Sequence, residues 1–209
     1  MLRSLSALAS LTILLGMAGV ADAQCPPATI GVYADPSGTT QSATPIQHQE
    51  LYLFVVFFAE APIAGAAWQL EMTSQQYSGQ LVGPPGPNCQ PPWCEDQDPP
   101  FWHIATLVQG PLWFGDPFTG GIRQGLGDCF SGFFGNPVLL ATVVLEPWAE
   151  ILGSIEVDVT VVPEEYDGLV YADCEAILCD SVVGLTTHLG ATVVKSEEHS
   201  WGAMKALYR

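Results

Sequence analysis

The sequence predicts an all-β protein, a single β-sandwich of about eight or nine strands followed by a short C-terminal helix or tail. Three observations predict it. Residues 155–161 (Ile-Glu-Val-Asp-Val-Thr-Val) alternate apolar and polar side chains without a break, the pattern of a strand with one face on a core. Residues 51–58 are continuously apolar and rich in aromatic and β-branched side chains, which suits a strand buried on both faces. Pro, Gly and Asp turn residues separate such segments, and no helical periodicity develops before residue 195.

In chain order, Arg3, the apolar stretch 5–20 and Ala21-Asp22-Ala23 have the layout of a secretory signal peptide cleaved between Ala23 and Gln24. The apolar stretch is short for a membrane span, so the mature form is expected to carry no transmembrane segment and to be secreted, extracellular or at the cell surface. A lipidated Cys25 is the rival reading. Lipid-modified cysteines follow a small residue, whereas Gln24 precedes this one, which favours ordinary cleavage. The sandwich is expected over residues 24–194. Its first strand, 29–34, runs into the turn Asp35-Pro36-Ser37-Gly38, and 51–58 and 66–72 follow. Residues 81–100 form a long loop dominated by Pro, Gly and Cys. Strand 101–108 precedes a glycine-rich, aromatic stretch, 110–135, where bulges and close backbone approaches are expected. Strands 138–145, 155–162, 169–172 and 189–194 complete the body, and no repeat or linker divides it.

All six cysteines (Cys25, Cys89, Cys94, Cys129, Cys174 and Cys179) lie beyond the leader. An even number in an exported chain predicts disulfides. The spacings Cys89-x4-Cys94 and Cys174-x4-Cys179 suggest two small loops, which would leave Cys25 for Cys129. Metal binding is the alternative, although neither spacing is the two-residue knuckle of structural zinc sites. The chain has 5 basic and 22 acidic residues, a formal net charge of −17. Arg3 and Asp22 leave with the leader, and three of the remaining four cations (Lys195, Lys205 and Arg209) follow the body, which keeps only Arg123. Such a surface repels phosphate backbones, so a nucleic-acid partner is excluded.

Ile30-Gly31-Val32-Tyr33, the run 51–58 and Ala64-Gly65-Ala66-Ala67-Trp68-Gln69-Leu70 together resemble the opening of cohesin-type and related carbohydrate-binding sandwiches. Gly125-Leu126-Gly127, 139–145 and 155–162 are similar to the closing strands of that family. The resemblance spans residues 29–194 and lies in hydrophobic patterning. It implies a non-catalytic docking module and transfers no functional residue. The ending Ser-Glu-Glu-His-Ser-Trp-Gly-Ala-Met-Lys-Ala-Leu-Tyr-Arg (196–209) resembles the short Trp-Gly…Lys-Ala-Leu-Tyr-Arg ends of otherwise dissimilar secreted bacterial proteins, which implies a sorting or anchoring segment at 195–209. A docked or frayed terminal helix, with Ser200 as N-cap and Trp201, Met204, Leu207 and Tyr208 at helical spacing, fits the same residues.

Catalytic motifs are missing. Ser131 lacks the nucleophile elbow, Glu198-His199 is no H-E-x-x-H, and His48, His103, His188 and His199 show no ligand spacing. No catalytic residue, metal ligand or cofactor is therefore assigned, and the protein is expected not to be an enzyme. Weak Ca²⁺ binding by Glu95-Asp96-Gln97-Asp98 or Glu164-Glu165-Tyr166-Asp167-Gly168 stays open beside solvated acidic loops. Among aromatics between 93 and 134, Trp93 and Trp113 are the candidate ligand contacts. The expectation is a secreted, non-catalytic binding or adhesion module of the bacterial cell envelope or matrix, with a protein or carbohydrate ligand at the cell surface. One alternative is an extracellular polysaccharide hydrolase using two of Glu71, Asp116, Glu156 and Asp158. The other is a self-assembling surface protein that adds strands along an exposed apolar edge at 51–58.

Overall fold

A computed structural model describes residues 25–60, 62–78, 80–84, 100–130, 137–162 and 168–190. These contain thirteen strands and no helix. The strands are β1 Ala28–Tyr33, β2 Ser42–Ala43, β3 Leu51–Ala59, β4 Ile63–Ser74, β5 Phe101–Val108, β6 Leu112–Asp116 and β7 Gly121–Phe130, then β8 Val138–Pro147, β9 Ser154–Thr160, β10 Val170–Asp173, β11 Leu178–Cys179, β12 Val182–Leu185 and β13 Thr187–Gly190.

Two sheets pack face to face. The first has the order β12-β1-β3-β8-β5, antiparallel except where β1 and β12 run parallel. The second has the order β11-β10-β4-β9-β13-β2, and the hairpin β6–β7 joins it through β4. Strand β4 is long enough to serve three partners. Ile63–Ala67 pairs with β10, much the same stretch pairs with β7, and Gln69–Ser74 pairs with β9.

The core lies between the sheets. The first sheet contributes Ile30, Val32, Leu53, Val55, Phe57, Leu140, Val143 and Leu145, and the second Trp68, Leu70, Ile122, Ile155, Val157, Val159, Tyr171 and Leu189. Alternation places them there, with Ile155, Val157 and Val159 inward while Glu156 is exposed between them. One buried polar arrangement ties the sheets together. Trp68, fully buried on β4, donates Nε1–H to Gln124 Oε1 of β7 at 2.7 Å. The Gln124 amide in turn donates Nε2–H to Leu140 O of β8 at 3.2 Å and to Gln109 O at 3.3 Å.

The strand count exceeds eight or nine for two reasons. Residues 110–135, expected to be irregular, fold through residue 130 as the hairpin β6–β7. Its turn uses glycines with left-handed backbone, Gly121 among them at φ 75°. In addition β2 and β11, of two residues each, and the four-residue β12 are short strands that leave no clear sequence period. Strand 189–194 is found instead as β13, and residues 191–194 lie outside the described residues.

The expected cysteine pairing is also overturned. The structure joins Cys25 to Cys179 and Cys129 to Cys174, each with Cα atoms 5.5 Å apart. Cys179 registers opposite Tyr171 and is buried under the sandwich, whereas Cys174 sits exposed beyond the end of β10, so the two cannot meet. Cys25 reaches Cys179 because Ala28 N–H bonds to Ser181 O at 2.9 Å, which seats the start of β1 beside the end of β11. Cys89 and Cys94 lie outside the described residues, as do the leader 1–23, Gln24, and the tail 195–209.

Candidate functional site

The second sheet carries a shallow depression of about 330 Å³ on its outer face. Its lining comes from five strands: Leu112 and Phe114 of β6, Arg123 and Gly125 of β7, Gly65 and Ala67 of β4, Val170 and Ala172 of β10, and Leu178 of β11. The floor is low because small residues occupy it. Gly65 takes no larger side chain, since a Cβ there would lie 2.5 Å from Gln124 O. Leu112, Phe114 and Leu178 rise around the floor and are 72%, 64% and 60% exposed, values that leave three large apolar side chains in water. Arg123 lies over the Phe114 ring, 5.5 Å from its centroid, and donates Nη1–H to Gly120 O at 2.9 Å.

No lining residue carries a carboxyl group. The acids considered for hydrolysis stand elsewhere. Asp116 caps the β6–β7 turn, where Oδ1 accepts N–H bonds from Phe118 at 2.9 Å and Thr119 at 3.0 Å and Oδ2 lies 3.6 Å from His103 Nδ1. Glu71 and Asp158 do come together, as directly opposed residues of β4 and β9 on the outer face. Glu156 is opposite Thr73 of β4 and His188 of β13, with His188 Nδ1 at 4.0 Å from its carboxylate. They form an open strip on a flat sheet surface, without an aromatic floor.

The two tryptophans of interest fall differently. Trp93 lies outside the described residues. Trp113 is 47% exposed, but its cross-strand neighbour is Gln124, whose side chain points inward, so it occupies the face of β6 opposite to the depression. Leu112 and Phe114, one residue to either side, face the depression and were not singled out from sequence. Knowing that 112–116 is a strand would have been enough to separate them from Trp113 by alternation. The acidic segments 95–98 and 164–167 lie outside the described residues. Among the described residues no group of three or more His, Cys, Asp or Glu side chains could hold a metal ion, and no helix is long and apolar enough to cross a membrane.

The edge expected for strand addition is corrected. Strand β3 is hydrogen-bonded on both sides, to β1 and to β8, and sits at the centre of the first sheet. Its double-sided apolarity reflects cover on both faces. Residues 34–40 lie over its outer face, close enough that a Cβ on Gly38 would collide with Phe58.

Solved structures similar to this chain are cohesin domains, the family whose patterning the sequence resembles. A chain of the CaDoc0917–CaCohA2 complex is matched with a TM-score of 0.48 and 11% identity over 79% of this chain and 99% of that one. A non-cellulosomal cohesin from the hyperthermophilic archaeon Archaeoglobus fulgidus gives 0.43 and 12% over 83% and 99%. A type II cohesin domain from the cellulosome of Acetivibrio cellulolyticus gives 0.40 and 11% over 79% and 96%. No protein-family model and no curated protein sequence matches the chain.

Proposed function

We propose that this protein is a non-catalytic binding module that docks a protein partner on the outer face of its second sheet, across β6, β7, β4, β10 and β11. The observation that carries the reading is the depression itself: Leu112, Phe114 and Leu178 stand exposed around a Gly/Ala floor, on a face that the described residues leave uncovered. Clustered exposed apolar side chains of this size mark interaction surfaces. The absence of a carboxyl group in the lining favours binding over acid-assisted hydrolysis. The partner surface is expected to be apolar at its centre and cationic at its rim, because Asp116, Asp128, Asp173, Glu175 and Asp180 belong to the strands and turns around the depression. Trp113, exposed on the other face of β6, lies off this docking surface and serves as a control. The wider setting is a secreted module at the cell envelope or in the matrix, consistent with the signal-peptide pattern and with disulfides.

The test is affinity capture from the exported proteins of the source cells with three forms: wild type, Leu112→Ser/Phe114→Ser, and Trp113→Ala. The expected result is a protein retained by wild type, weakened at least tenfold by the double variant and not by Trp113→Ala. Equal capture by all three, or retention on insoluble polysaccharide unaffected by the double variant, would overturn the reading.

A further inference from the structure

The outer face of the second sheet is not uniform. Beyond the depression, toward the end of β4 where β13 also ends, it becomes acidic. Outward residues of β4 run Gly65, Ala67, Gln69, Glu71 and Thr73, and those of β9 include Asp158 and Glu156. Glu71 and Asp158 are directly opposed, a like-charge cross-strand pair that a nearby cation would stabilise, and Asp158 Oδ1 already accepts a bond from the Thr186 hydroxyl. Gln69, between the depression and these acids, has a shielded Oε1 with no hydrogen-bond donor among the described residues. This strip and the depression together present carboxylates at one end and exposed apolar side chains at the other. Arg123, the one Lys or Arg among the described residues, is at the far end over Phe114.

The complementary chemistry is in the same chain. Residues 191–209 follow Gly190 directly, and they carry Lys195, Lys205 and Arg209 together with Trp201, Met204, Leu207 and Tyr208. Gly190 registers with Ser154 of β9, at the acidic end of the face. From Thr73 back to Ala67 is six residues of strand, about 20 Å at ~3.3 Å per residue. Nineteen residues reach that distance whether extended, at about 60 Å, or coiled, at about 28 Å.

We propose that residues 191–209 dock on the outer face of the second sheet of their own chain. Lys195, five residues after Gly190, lies against the carboxylates of Glu71, Glu156 and Asp158, and Trp201, Met204 and Leu207 lie toward the depression. The inference rests on this face being the docking surface. It adds that the chain supplies a built-in occupant, which an outside partner must displace.

The chain contains only two lysines, Lys195 and Lys205, so zero-length carbodiimide coupling of lysine to carboxylate reads out where the segment lies. The full mature chain, with its disulfides intact and at low micromolar concentration, is coupled and its monomer band mapped by peptide mass spectrometry. The expected result is Lys195 joined to Glu71, Glu156 or Asp158, with yield at least threefold lower in Glu71→Gln/Asp158→Asn. Links confined to Glu197 and Glu198 of the same segment would overturn the proposal. So would links to the sheet found only in a dimer band, which would make a second copy the occupant. The Lys195→Gln/Lys205→Gln variant separates this inference from the reading beneath it. Tighter partner capture by that variant supports a displaced segment. Unchanged capture overturns the inference and leaves the docking face standing, and loss of capture in Leu112→Ser/Phe114→Ser alone bears only on the face.

Discussion

Replacing Gln124 by Ala tests whether the buried amide holds the two sheets in register. In the native structure its side chain is almost wholly enclosed, accepts the indole N–H of Trp68 at 2.7 Å and donates to Leu140 O and Gln109 O. Leu140 O keeps a second donor after the change, the backbone N–H of Gln109 at 2.8 Å. The indole N–H keeps none, in a residue with no exposed surface. An unpaired buried donor costs about 1–3 kcal/mol, and the lost side-chain volume adds a cavity penalty on the order of 1 kcal/mol. The expected loss is therefore about 2–4 kcal/mol, read as a lower midpoint at unchanged slope in urea denaturation of the oxidised protein. Trp68→Phe removes the donor instead. In the double variant Gln124→Ala/Trp68→Phe neither orphan exists, so the two single losses should fail to add by about 1–2 kcal/mol. A loss under about 0.5 kcal/mol for Gln124→Ala, or strict additivity in the cycle, would refute the idea that this bond carries the junction.

Two further outcomes are expected. Serine at Cys25 and Cys179 should destabilise more than serine at Cys129 and Cys174, because the bridges span 154 and 45 residues and loop-closure entropy sets ceilings of about 5 and about 4 kcal/mol; equal midpoints, or the reverse order, would show that local geometry dominates. The Asp35 carboxylate accepts bonds from the backbone N–H groups of Ser37, Thr39 and Thr40 and from the Ser37 and Thr39 hydroxyls, with the Ser37 hydroxyl the largest cause of its depressed pKa. Because the folded value lies below the unfolded one, its stabilisation is complete above pH ~4 and is lost as pH falls further. Asp35→Asn should flatten that acid limb in thermal melts from pH 5 to pH 2, and parallel curves for the two proteins would contradict it.

Period-two patterning made most of the sandwich legible, because it records burial on one face. Ile155, Val157 and Val159 fill the core as their alternation requires, and the unbroken run 51–58 is a central strand for the reason its apolarity suggests. Where the second face carries other demands, the pattern fails. In β6, Leu112-Trp113-Phe114 is apolar throughout although three of its side chains stand in water, and such a triplet cannot be told from a buried one without its neighbours. In β7, Gly125 and Gly127 interrupt any period, and the strand becomes visible through its pairing with β4 and β6. Disulfide partners were illegible for a different reason. Short spacings invite local loops, whereas Cys25 and Cys179 meet because β1 and β12 pair in parallel, a contact between the two ends of the described body.

The two outer faces of this sandwich both carry apolar side chains, and they differ in how part of that surface is covered. The first sheet turns Val56, Phe58 and Tyr33 outward; Gly38 of the segment 34–40 lies against Val56 and Phe58, Tyr33 and Phe58 are in edge contact at 5.8 Å, and Tyr52, Leu107 and Val183 of the same sheet stay exposed. Five donors converging on Asp35 shape that segment, so the cover is held by specific bonds. The second sheet has no such cover among the described residues over Leu112, Phe114 and Leu178. Polar replacements at these three positions would remove exposed apolar area at no loss to the core, since none of them belongs to it. The loop thus shields part of the first sheet's apolar face, whereas Leu112, Phe114 and Leu178 of the second stand around a low floor that includes Gly65, where a Cβ would meet Gln124 O, and it is on this exposed cluster that the docking proposal rests.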